Sequence, residues 1–152
     1  MDGPAVAPEA VIRLNAAQAT LDEFKGKPFR LGERDCVRMV AAHLRRLGYQ
    51  VKLPPRGSYR TVRAARKALA DRGFADLCAA VDAHGLERIP PAAAVVGDII
   101  ACPGTDEFGP ALHVALSNGR TVAYHEDLAG AGVLQPVEYV AAWRAPPIRP
   151  AA

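Results

Sequence analysis

The stretch Leu31-Gly32-Glu33-Arg34-Asp35-Cys36 (LGERDC, 31–36) ends on a cysteine directly behind an aspartate, and the residues that follow, Val37 to Leu47, have helical spacing. Asp35 is a good helix N-cap, so a helix is expected to begin just after it, with Cys36 in its first turn. Cys36, Met39, Val40, Leu44 and Leu47 fall on one face, Arg38, Arg45 and Arg46 lie largely outside it, and Gly48 supplies the stop. A thiol in that position faces unpaired backbone N–H groups and the positive end of the helix dipole. The expectation is a stabilised thiolate with a lowered pKa, which is what a nucleophile requires.

Upstream, Val11, Ile12, Leu14, Ala17 and Leu21 predict an amphipathic helix from Pro8 to Phe24, ending near Gly26-Lys27-Pro28. Downstream, Pro54-Pro55 and Gly57 make 51–59 a loop. Helices are expected over 61–72, basic on its outer face and ended by Gly73, and over 75–83, ending near His84-Gly85. After Pro90-Pro91 the pattern becomes β-rich, with strands expected over 95–101, 112–116 and 121–124 and one or two more within 133–143. Helices first and a small antiparallel sheet second is an α+β pattern. The length of 152 residues suits a single domain, read here as 1–152 with a core of about 10–144 and a Pro-rich tail at 145–152.

Composition narrows the function. Half the residues are apolar, and the net charge of +3 comes from arginines spread along the chain, which does not suggest specific nucleic-acid binding. No apolar run is long enough for a membrane span, and the first residues lack the pattern of a secretory signal. Cys36, Cys78 and Cys102 are odd in number and far apart, which disfavours a disulfide framework, and Cys78 and Cys102 read as core residues. With no CxxC pair a structural zinc site is not expected, and Cys36, His113 and His125 have metal-ligand chemistry but no evident fourth ligand.

A thiolate nucleophile needs an imidazole partner and a group to orient it. His43 follows Cys36 by seven residues on the same helix, roughly 10 Å along its axis, too far for a hydrogen bond. His84 reads as a helix C-terminal cap, which leaves His113 and His125. Asn118-Gly119 predicts a two-residue hairpin turn that pairs His113 with Tyr124 and sends His113 and His125 to opposite faces. Bringing both histidines to one site therefore requires a bulge or a longer loop.

Asp35-Cys36 opening a helix, Gly97-Asp98 before apolar residues, His113-Val114 in a strand and a second histidine twelve positions later together resemble the NlpC/P60 peptidases. A closer resemblance, spanning roughly 10–144, is to the phage tail and gene-transfer-particle subgroup. It rests on the run Pro28 to Cys36, on Arg56-Gly57-Ser58-Tyr59-Arg60-Thr61 and on Trp143. The resemblance implies a papain-like α+β fold with the nucleophile helix packed on a small antiparallel sheet. It implies Cys36 as nucleophile, His113 as general base, His125 as the orienting residue and Asp35 and Tyr59 as substrate-binding, with the Cys36 N–H in the oxyanion hole and no cofactor or metal. It further implies a tail-tip cysteine peptidase, made in the host cytoplasm and acting in the periplasm on peptidoglycan peptides, with tail hub and distal tail proteins as partners. The alternative is a catalytically inactive structural tail-tip component that binds those same proteins.

Overall fold

The computed structural model describes residues 7–104, 108–125 and 128–148. Among the described residues four α-helices come first and a six-stranded sheet follows: α1 (Glu9–Phe24), α2 (Cys36–Arg46), α3 (Val62–Asp71) and α4 (Leu77–Asp82), then β1 (Glu87–Ile89), β2 (Ile99–Cys102), β3 (Ala111–Ala115), β4 (Thr121–Ala123), β5 (Gly132–Leu134) and β6 (Ala141–Arg144). All strand pairs are antiparallel, in the order β1-β6-β2-β3-β4-β5. The expected α+β architecture is present.

Polar caps set where three helices begin. The side chains of Asp35, Thr61 and Asp76 accept from the N–H groups of Arg38, Ala64 and Ala79, which satisfies donors that a helix start leaves open. Helix α1 differs from its expected face. It buries Arg13, Ala16, Ala17, Thr20 and Phe24, whereas Val11 and Leu14 stay 43% and 49% exposed. The reason is Asp98, a fully buried carboxylate before β2 that pulls the Arg13 guanidinium inward at 2.9 Å. Asp98 also accepts from Arg144 and from the backbone N–H groups of Val95 and Ala145. With every oxygen satisfied, this cluster joins α1 to the start of β2 and the end of β6, which meet at one end of the sheet's centre. The same turn, with Gly97 at φ +89°, delays β2 to Ile99 where the sequence suggested a strand from 95. His43, buried on α2, bonds the Gly97 carbonyl through Nε2 at 2.8 Å, and burial lowers its pKa so that it stays neutral.

Strand alternation divides the sheet into two faces. Ile99, Ala101, Leu112, Val114, Val122 and Trp143 pack against α1, α2 and α4 in the main core. Trp143 is fully buried, donates to Asp82 of α4 at 2.8 Å and lies under the Arg88 guanidinium, which itself pairs with Asp82. Ile100, Cys102, Ala115 and Ala142 form a second, smaller cluster on the opposite face.

The β3–β4 connection departs from the two-residue turn. Val114 pairs with Val122 and Ala115 with Thr121, and the Leu116 N–H bonds the Arg120 carbonyl at 2.7 Å, leaving Ser117, Asn118 and Gly119 as the loop. Asn118 and Gly119 take positive φ values of 61° and 73°, the conformations these residues adopt most readily. The register is therefore one residue away from expectation. A two-residue turn would pair Val122 with Ala115 on the outer face, whereas the observed pairing buries Val122 completely beside Val114.

Candidate functional site

The N-terminus of α2 is built by two loops locked together. Asp35 is 2% exposed, and its Oδ2 accepts from the Gly32 N–H and the Tyr59 hydroxyl, both at 2.9 Å, while Oδ1 caps Arg38. The Gly57 N–H bonds the Gly32 carbonyl at 3.1 Å. Gly32 has φ +86°, and a Cβ there would meet the Tyr59 carbonyl oxygen at 2.0 Å, so only glycine fits. Asp35 and Tyr59 do border the cleft described below, yet their polar atoms bond each other and the backbone. These bonds fix where α2 begins.

Cys36 is half-buried, and the backbone N–H groups of Leu112, Cys36 and Val37 all act on its sulfur. These donors favour a thiolate, as the sequence suggested, but burial outweighs them. It pushes the thiol up to about 12, and the Asp35 charge acts in the same direction. The expected lowered pKa is thus reversed, and Tyr124 lies near enough for the Cys36 charge to act on it. Tyr124 stacks edge-on against Phe24 and Phe29, with centroids 6.5 and 5.5 Å apart. Its hydroxyl is buried, makes no hydrogen bond among the described residues and is raised to about 12 by burial, with Arg34, Asp35 and Cys36 among the charges that act on it.

His113 lies elsewhere. It pairs with Ile100 across β2 and so projects from the sheet face opposite α2. There its Nδ1 meets the Thr121 hydroxyl at 2.8 Å and the Cys102 sulfur at 3.7 Å. Burial, reinforced by the nearby His125, lowers the His113 pKa to about 4, and burial raises the Cys102 thiol to about 11. At neutral pH both are uncharged. The three-residue loop leaves His125 close enough to act on His113, but His113 projects from the sheet face opposite the one that carries Cys36.

All three expected catalytic residues nevertheless border one cleft of about 1660 Å³, which runs from the helices around the end of the sheet. Cys102, expected in the core, is indeed buried; its partnership with His113, the Thr121 contact and the approach of Tyr124 to Cys36 escaped the sequence reading. The register of β2 against β3 would have shown the first of these, since Cys102 and His113 are diagonal neighbours on one face. Among the described residues no group of three or more His, Cys, Asp or Glu side chains could hold a metal ion, and no helix is long and apolar enough to cross a membrane.

The chain belongs to the family described as a domain of unknown function, DUF6950, whose model matches residues 12–145. That range runs from α1 through β6 and takes in both faces of the sheet. No curated protein matches the sequence.

Proposed function

We propose that this chain is a papain-like domain of the NlpC/P60 kind that works as a binding component of a phage or gene-transfer-particle tail tip, docking on hub or distal tail proteins, with its catalytic constellation unassembled. The single observation that carries the reading is the separation of Cys36 and His113 by β3: the thiol meets Leu112 on the helix face, and the imidazole bonds Thr121 on the other. The two sequence runs behind the resemblance, 28–36 and 56–61, also contact each other through Asp35, Tyr59 and Gly57, so they form one structural unit at the start of α2.

A second reading, a cysteine peptidase cutting peptidoglycan peptides through Cys36, His113 and His125, is favoured by one specific feature. Three backbone N–H groups act on the Cys36 sulfur, an arrangement suited to an oxyanion, and the histidines border the same cleft. In that reading the His113 ring must leave Thr121 and cross to the helix side. The two readings separate on purified peptidoglycan. The binding reading expects no peptide release detectable by mass spectrometry and co-elution with tail hub proteins that survives Cys36→Ser. Peptide release that Cys36→Ser abolishes would overturn it and install the peptidase.

A further inference from the structure

The helical half of the cleft has a composition that the reading above does not use. Val40 and Leu44 of α2, Leu53 of the loop between α2 and α3, Leu69 of α3, Phe74 of the turn between α3 and α4 and Leu77 of α4 line it with aliphatic and aromatic surface. Helix α3 buries only Ala65, and although Leu69 packs against the main core, the inner side of the helix also borders this space. At the mouth stand the exposed side chains of Lys52 and Arg72, and the Arg72 guanidinium approaches the Lys52 carbonyl at 3.4 Å, bringing the two segments together. A peptide would need polar partners along its backbone, whereas an aliphatic chain needs only apolar walls and a place for its head.

We propose that the space between α2, α3 and α4 binds one long aliphatic chain whose anionic head group rests on Lys52 and Arg72. The charge complementarity at the mouth selects an anionic amphiphile over a neutral one, and the loosely packed α3 supplies the wall that adjusts to chain length. The head chemistry is shared by a fatty acid and by a single-chain phospholipid. The inference rests on the cleft alone and stands whether or not the tail-tip reading does.

The test is titration of the full chain with cis-parinaric acid, a fluorescent fatty acid, with palmitate and a palmitoyl lysophosphatidylglycerol as competitors. The expected result is saturable one-to-one binding. Stronger competition by palmitate assigns the carboxylate head and stronger competition by the lysolipid the phosphodiester; competition by neither overturns the proposal. Ala68→Trp, which fills the space from α3, should abolish binding while the melting curve is retained, and Val62→Trp serves if Ala68→Trp does not fold. The double variant Lys52→Glu, Arg72→Glu should weaken parinarate by about tenfold, as expected for two partly solvated charges, and leave a neutral long-chain alcohol unaffected. Absence of saturable binding, or binding unchanged in a folded cavity-filled variant, would overturn the site.

Discussion

Cys36 and Cys102 border the same cleft and are opposites. Cys36 has backbone donors from the helix start and from Leu112 of β3; Cys102 has the His113 imidazole at 3.7 Å and burial alone shifting its pKa. Each holds half of what a thiolate catalyst requires, and β3 carries the two halves on its alternating faces. The difference teaches that the right residue types in the right order do not make a triad. A sheet register decides which side of the fold each one joins.

The comparison can be broken most severely at the helix start. Asp35→Ala removes the α2 cap and leaves the buried Tyr59 hydroxyl and Gly32 N–H without their acceptor, which should cost about 3 to 4 kcal/mol in chemical denaturation. Asp35→Asn should recover part of that loss. An equal loss in both variants would mean that capping contributes nothing and the charge everything.

Acid acts on the other side of the comparison. A histidine whose folded pKa lies below its unfolded value of 6.5 stabilises the protein fully above that pH and loses this contribution as the pH falls toward the folded value, about 4 for His113. Between those limits the melting midpoint should fall, by an amount equivalent to at most about 3 kcal/mol for His113. His43 is lowered in the same direction, so His113→Gln should shrink the acid loss without abolishing it. An unchanged loss in that variant would place the acid-sensitive burial elsewhere.

Much of this architecture was legible where local chemistry decides it. Asp35, Thr61 and Asp76 cap their helices close to the expected starts, and Gly73 and His84 lie just beyond α3 and α4 as read. The His84 ring bonds the Ala80 carbonyl at 3.0 Å, as a residue at a helix C-terminus can. What escaped depends on tertiary partners. Strand β1 is three residues long, with Glu87 and Arg88 exposed, and exists because β6 gives it an edge to pair with. The inward turn of α1 follows Arg13 to Asp98, a partner 85 positions away that periodicity cannot see. For the hairpin, Asn118-Gly119 correctly marked the positive-φ positions, but burial of Val122 beside Val114 overrode the two-residue turn. The candidate site inherits this pattern: Cys36 at a helix start was readable from one hexapeptide, whereas the face on which His113 lies required the pairing of three strands.

The most direct measurement is the pH dependence of Cys36 alkylation by iodoacetamide, followed by mass spectrometry alongside Cys78 and Cys102, in the wild-type chain and in His113→Ala. The account predicts that Cys36 reactivity rises only well above the ordinary thiol pKa of about 8.5 and that the two profiles superimpose. A Cys36 profile with its midpoint near or below about pH 7 that disappears in His113→Ala would contradict it, because a thiolate–imidazolium pair would then exist across β3.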